Sequence, residues 1–295
     1  MPTSLIGWAR KMWASPAARK LRRNKLAWVG LAIISAVVFF AIFADFIAPY
    51  DPVEQMYNER GELVKLASPS RQFLLGTDDF GRDIFSRIIH AIGLDLKLGL
   101  ALVGLWTVIG VPLGLIAGYY GGKIDSAIMR VVDGLYAFPY LVFAIAMVGI
   151  LGFSLNTIVI ALGIIGWPLF ARVVRGKALA VKSEVYVEAS RAFGERDRNI
   201  MLRYVLPNCL APLIVIMTLS LATSLIIIAA LTYLIPVGVP PHEPELGSML
   251  AASYEYMRAQ WWWPTSVGLT IVIIVLGFNF LGDGLRDALD PRLRY

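Results

Sequence analysis

The chain has a single cysteine, two histidines and little charge: Asp, Glu, Lys and Arg make up 16% of its 295 residues. Soluble domains carry about 25%. Cys209 alone excludes an internal disulfide and any multi-cysteine metal site. His90 and His242 are far apart and belong to no His-Glu-x-x-His pattern, which removes the common zinc-hydrolase arrangement. No Gly-x-Ser-x-Gly elbow is present, so a hydrolase-type serine nucleophile has no support. The nearest approach to a phosphate-binding loop is Gly121-Gly122-Lys123. Ala117 stands where its first glycine belongs, and Ile124 where a Ser or Thr would hold Mg²⁺. That reads as a turn at a helix end. Net charge is +6, but residues 1–25 hold seven basic side chains and no acid, while the rest carries 20 basic and 21 acidic. A charge so confined excludes a general nucleic-acid binder.

What the chain does have is apolar surface: 58% of residues are hydrophobic. A water-soluble fold of this size cannot hide that much, so the lipid bilayer must be the solvent for much of it. Crossing about 30 Å of hydrocarbon takes about 20 apolar residues as helix. Residues 27–44 supply a first span, ended by Asp45 and Pro49, and too long for a signal peptide. Residues 98–122 supply a second, with Pro112 as a tolerated kink. The 38 uncharged residues 134–171 are too many for one helix, and Ser154 with Asn156 marks a turn between a third and a fourth span. Residues 207–236 and 261–282 give a fifth and a sixth, the last opening with Trp261-Trp262-Trp263 at an interfacial belt. The charges near span ends (Asp45, Asp133, Asp283) fall at interfaces, and no span buries an ionisable residue at its middle.

Six spans put both termini on one side. That side collects 20 of the 27 basic residues, which makes it cytoplasmic by the positive-inside rule. The expected divisions are a basic cytoplasmic segment (1–26), a first transmembrane helix (27–48), an external loop (49–97) and a core of five helices (98–295) that includes a cytoplasmic loop (172–207). In the external loop, Asp78 and Asp79 sit where an N-cap would be, before Ile84, Phe85, Ile88 and Ile89 at helical spacing. This predicts a short amphipathic helix, lying on the membrane or packed on the rim of the bundle. A second external loop, 237–260, is rich in proline (Pro240, Pro241, Pro244).

The cytoplasmic loop 172–207 is the most informative stretch. Val185, Ala189, Ala192 and Phe193 recur at i, i+4, i+7 and i+8 among Glu184, Glu188, Arg191 and Glu195. Gly194 is placed to end that helix with positive φ. A second charged helix, Arg196–Val205, then leads to the fifth span. The pattern alone fits either a solvated hairpin or a knob that docks a partner.

Glu188-Ala189-Ser190, then Gly194, Tyr204 and Leu206-Pro207 at their spacings, resemble the EAA signature of permease subunits of bacterial ATP-binding-cassette importers. Ser190 replaces the second alanine and Tyr204 an isoleucine. The run Gly76-Thr77-Asp78-Asp79-Phe80-Gly81-Arg82-Asp83-Ile84-Phe85-Ser86-Arg87 is similar to the external hallmark of the dipeptide, oligopeptide and nickel permeases, in the second of their two subunits. The tail from Leu281-Gly282-Asp283-Gly284 to Asp290-Pro291-Arg292 is similar to that subunit's C-terminus. The loop after the fifth span departs: Leu234-Ile235-Pro236-Val237-Gly238 stands for Phe-Leu-Gly-Leu-Gly, and Leu246 for a tryptophan.

The resemblance implies an all-α, six-helix bundle of the type I importer kind with both termini cytoplasmic. It implies three kinds of partner besides lipid: a second homologous permease, two ATPase subunits that hold ATP and Mg²⁺, and an external substrate-binding protein. The chain itself would bind no cofactor and catalyse nothing. In the coupling role Glu188 would pair with a basic residue of the ATPase, Ala189 and Ser190 would permit close approach, and Gly194 would set the bend ahead of Leu206 and Pro207. Short peptides are the first substrate class implied, with nickel chelates and oligosaccharides among relatives. On the fifth span Ser220, Thr223 and Ser224 share one face and could line a path. The same stripe supports the alternative of a self-contained channel or secondary carrier, although serine and threonine in membrane helices often just bond a carbonyl one turn back.

Overall fold

A computed structural model describes residues 20, 22, 24–235 and 243–289. The basic segment before residue 20, Pro240, Pro241, His242 and the tail from Asp290 lie outside the described residues. All regular secondary structure among the described residues is helical, apart from the isolated bridges Tyr57–Leu63 and Thr77–Asp83.

Helix α1 (Lys25–Ile42) starts at Asn24, whose side chain accepts the Ala27 N–H at 3.1 Å. It lies against the last helix, α10 (Trp262–Leu289), at backbone contact. A Cβ on Gly30 would stand 2.6 Å from the Leu281 nitrogen, so only glycine fits that crossing.

The second helix corrects the sequence reading. Instead of a separate amphipathic helix and a span from residue 98, one helix, α2, runs from Ile84 to Tyr120, 37 residues. Its N-cap is Asp83, not Asp78 or Asp79; the carboxylate accepts the Ser86 N–H at 2.8 Å. The apolar positions Ile84, Ile88 and Ile89 continue in phase into Ile92 and Leu96, all buried. Asp95 and Lys97 interrupted the uncharged window and so hid the continuity. The consequence is a second correction: Asp95 is an ionisable residue buried inside a spanning helix.

Among the described residues five helical stretches are long and apolar enough to cross a membrane, six if a bent pair is counted as one span. That pair is α3 (Gly122–Tyr136) and α4 (Tyr140–Leu151), which meet at 87° around Pro139. At 12 residues α4 is short for a full crossing, and the charges of α3 keep it at an interface. Arg175 forks onto both Asp125 oxygens at 2.5 and 2.6 Å and ties the first turn of α3 to the bundle.

The turn to α5 (Leu155–Gly166) falls where expected, with Gly152 at φ +92° and Ser154 capping Thr157. Helix α5 leads through Trp167 into α6 (Pro168–Lys182). Against α6, α2 presents Gly110, Gly114 and Gly118, one turn apart. Added Cβ atoms there would come within 2.6, 2.4 and 2.7 Å of the carbonyls of Trp167, Ala171 and Arg175. Small residues at four-residue spacing let membrane helices approach at backbone distance.

Helix α7 (Val185–Ala192) is the expected short helix, but the second charged helix is not separate from the fifth span. A turn at Asp197–Ile200 and a π segment, Met201–Val205, run straight into α8 (Leu206–Leu234). Pro207 accounts for this. A proline ring clashes with the carbonyl four residues earlier, and the wider π turn, in which Leu206 N–H reaches Met201 O, makes room. The proline-rich loop holds a further helix, α9 (Leu246–Tyr254), that the sequence reading did not expect.

Two cores result. One joins α2, α5, α6 and both ends of α8; the other joins α1, the start of α2, the middle of α8, α9 and α10. The ends of the bundle are called here the hairpin end, which carries α7, and the far end, which carries α9 and residues 48–83.

Candidate functional site

The hairpin is built from α7 and the turn after it. Gly194 adopts φ +79°. Its N–H reaches the Arg191 carbonyl at 3.0 Å, and the Glu195 N–H reaches that of Ser190 at 3.1 Å. Those two bonds close a helix end of the Schellman type, which needs a left-handed residue at Gly194. Nothing lies within 4 Å of a Cβ built there, so backbone geometry alone asks for glycine.

The apolar stripe read from the sequence points outward. Val185 is 80% exposed and Phe193 90% exposed, with Ala189 and Ala192 exposed beside them. The side chain that anchors α7 is Val187, wholly buried in the same cluster as Ile200. Glu188 is exposed and in no ion pair among the described residues. The Ser190 hydroxyl turns back to the Tyr186 carbonyl at 2.9 Å, which leaves a small, neutral surface. Leu206 is half-buried against the core and Pro207 is exposed.

Braces that the sequence did not reveal hold this knob on the bundle. Tyr119, at the end of α2, donates to Asp197 at 2.6 Å, and Arg191 lies 5.3 Å over its ring. Lys182 reaches the Tyr119 carbonyl at 3.3 Å. Asn208 donates to the Tyr186 hydroxyl at 3.2 Å and to the Tyr204 carbonyl at 2.7 Å. Tyr204 also sets its ring 6.3 Å from that of Tyr186, a role isoleucine could not fill. Partners so distant in sequence leave no periodic trace. The hairpin is therefore rigidly tied to α2 and α8 while its apolar stripe stays bare.

On α8 the stripe divides. Ser220 and Ser224 are buried, Ser224 within reach of Gly99 on α2, whereas Thr223 is exposed. The Thr223 hydroxyl bonds the Leu219 carbonyl at 3.3 Å, one turn back.

At the far end the run Gly76–Arg87 shapes the loop rather than displaying side chains. Asp78 is buried and accepts N–H bonds from Phe80 and Arg82 at 2.9 and 2.8 Å, with the Arg82 Nε at 2.7 Å. Arg87 reaches the Pro52 carbonyl at 2.7 Å. Burial, and the neighbouring Asp78 charge after it, push the Asp79 carboxyl up. Asp79 joins Glu243, Glu255 and Tyr256 around a cavity of about 380 Å³.

Long apolar helices, a bent helix pair and a braced knob with a bare apolar stripe define a multi-pass membrane protein. Comparison with known proteins gives its family. The profile of the binding-protein-dependent transport system inner membrane components matches residues 110–295, and that of the N-terminal transmembrane domain of oligopeptide transport permease C matches residues 12–69. The chain belongs to this family: it is a permease subunit of a binding-protein-dependent importer, multi-pass in the plasma membrane. It is 42% identical to the dipeptide transport system permease protein DppC of Alkalihalophilus pseudofirmus, over 94% of this chain and 90% of that one. It is also 42% identical to the di/tripeptide permease protein DppC of Pseudomonas aeruginosa, over 97% and 92%. The glutathione permease protein GsiD of Escherichia coli is 40% identical, over 94% and 89%. The fold matches a chain of the inward-facing MetNI methionine ABC transporter with TM-score 0.54 and 22% identity, over 69% of this chain and 96% of that one.

Proposed function

We propose that this permease imports short peptides, the class named for its dipeptide and di/tripeptide relatives, and that α7 is its coupling element. Both termini and α7 face the cytoplasm; α9 and residues 48–83 face outside, where a binding protein delivers substrate. The path lies between this bundle and a second, homologous permease subunit. Two ATPase subunits carry ATP and Mg²⁺, and this chain supplies no catalytic group. The observation that carries the reading is the bare stripe Val185–Phe193 on a knob otherwise fastened to α2 and α8. Val185 and Phe193 seat in an apolar cleft of the ATPase, Ala189 and Ser190 permit close approach, and Glu188 meets a basic residue there. Closure of the ATPase pair then moves α2 and α8 together through the Tyr119–Asp197 and Asn208–Tyr186 braces, and access to the path alternates. On α8, Thr223 is the member of the polar stripe that faces the path.

The test is co-purification. Phe193→Asp sets a charge into the apolar contact, and the variant is expected at normal membrane levels with reduced recovery of ATPase subunits and reduced peptide uptake. Undiminished recovery and uptake would remove α7 from coupling.

A further inference from the structure

Asp95 and Glu245, 150 residues apart, meet at the start of α9. Asp95 is 4% exposed and Glu245 wholly buried. Glu245 is the N-cap of α9: its Oε1 accepts the Gly247 N–H at 2.9 Å and the Thr232 hydroxyl at 3.0 Å, and its Oε2 accepts the Ser248 N–H at 2.7 Å. Asp95 Oδ2 accepts the Leu246 N–H at 3.3 Å, while Oδ1 is buried with no hydrogen-bond partner. The site is tight. A Cβ on Gly247 would stand 2.1 Å from Thr232 Oγ1 and 2.4 Å from the Ala229 carbonyl.

Among the described residues no cation offsets these two acids. Neither carboxyl is in an ion pair among the described residues. On α2, Arg87 is engaged by Asp78 and Pro52, and Lys97 points to the surface. Helix α8 carries no Asp, Glu, Lys or Arg; its Tyr233 ring lies against Tyr254. Helix α9 carries none either, and the Glu255 that follows it is exposed. Helix α10 carries none until Asp283, toward the hairpin end.

We propose that Asp95 and Glu245 form a proton-binding site at the foot of α9, two carboxyls that share one proton, and that this proton fastens α9 to the wall of α2 and α8. A metal ion does not suit the place. Three of the four carboxyl oxygens already take N–H or O–H donors, and the positive end of a helix dipole faces them. One proton on Asp95 Oδ1 turns the unpartnered acceptor into a donor and removes one of two adjacent buried anions. Burial also pushes the Glu245 carboxyl up, in the same direction. Without that proton, like charges oppose each other in a dry site, and the way to relieve them is for α9 to lift away at the far end.

The sign of the pH effect follows. In the unfolded chain these carboxyls lose their protons near pH ~4, whereas the folded pair keeps one to higher pH. Over that interval the folded state binds one more proton, so stability falls as pH rises, by roughly tenfold in the folding equilibrium per pH unit. The experiment uses the full-length protein purified with its partner subunits in nanodiscs, with thermal unfolding followed from pH 6 to pH 9. Asp95→Asn keeps the acceptor for Leu246 N–H and carries no charge. It is expected to flatten the slope by one proton, to match or exceed wild-type stability at pH 9, and to lose a protonated-carboxyl band from the infrared spectrum. Asp95→Leu, which cannot accept the N–H, is expected to be destabilised at every pH. An unchanged slope and spectrum in Asp95→Asn would overturn the proposal. So would failure of Asp95→Asn to fold, because it keeps the acceptor for the Leu246 N–H and loses only charge. None of these readouts depends on transport, so the importer reading stands or falls separately.

Discussion

At Gly194 the constraint is conformational and not steric, and that distinction can be tested. The φ of +79° with open space around the Cα means that a side chain costs backbone strain alone. Asparagine tolerates the left-handed region and valine does not. Gly194→Asn is therefore expected to keep most coupling. Gly194→Val should cost the turn about 1–2 kcal/mol, displace the knob, and reduce ATPase co-purification and uptake while the protein still inserts. Wild-type behaviour of Gly194→Val would show that the turn does not position the knob. Glu188→Ala separates contact from fold in the same way. Exposed and in no ion pair among the described residues, it should shift stability by less than about 0.5 kcal/mol yet weaken ATPase association, and unchanged co-purification would take Glu188 out of that contact. The pattern revealed which residues make this stripe, because helical spacing is local. It did not reveal which way the stripe points, since Val187 and Ile200, packed on the other side, decided that.

Among elements, the crossing of α2 and α6 carries the most strongly constrained contact. Gly114 sits so close to Ala171 that a Cβ would overlap its carbonyl at 2.4 Å. Gly114→Val should force the helices apart and destabilise the bundle by about 1–3 kcal/mol, the usual cost of overpacking. Membrane levels of the folded protein are the measure, and normal levels and a normal unfolding temperature would contradict the tight crossing. Thr223 gives the opposite case on α8. Exposed and bonded only to its own helix, it can take a bulky replacement without disturbing packing. Thr223→Trp is expected to impair peptide uptake with subunit assembly intact; equal loss of assembly would place it in a packing contact. The sequence offered Thr223 together with Ser220 and Ser224 and did not separate them, because a threonine among serines looks alike whether it packs or lines a path.

For the whole molecule the testable feature is its orientation. A cysteine at Arg196, beside the hairpin, should resist an impermeant thiol reagent added to intact cells, and one at Glu243, at the far end, should react. The reverse pattern would invert the protein. Native Cys209 is wholly buried and should stay silent in both backgrounds. Energy supply is tested at the same scale: the purified chain alone is expected to neither bind nor hydrolyse ATP, and activity surviving stringent purification would contradict a non-catalytic role.

Composition and local spacing were enough to establish a helical membrane protein, the turn at Ser154, the hairpin and the positive φ of Gly194. Each depends on residues near one another in the chain, where apolar run length, helical period and the glycine exception act directly. Other features came only with the tertiary structure. Helix α2 continues through Asp95 because Ile88, Ile92 and Leu96 stay buried in phase on either side of it and the carboxyl finds the Leu246 N–H, far away in sequence. Asp83 rather than Asp78 caps it because Asp78 is taken by Arg82 and by the loop's own N–H groups. The hairpin is held by Tyr119, and α9 is seated by Thr232 and Gly247 on helices joined through long connections. A sequence window records the polarity of a residue but not its partner, and for a charge inside a membrane bundle the partner decides whether the helix goes on or ends.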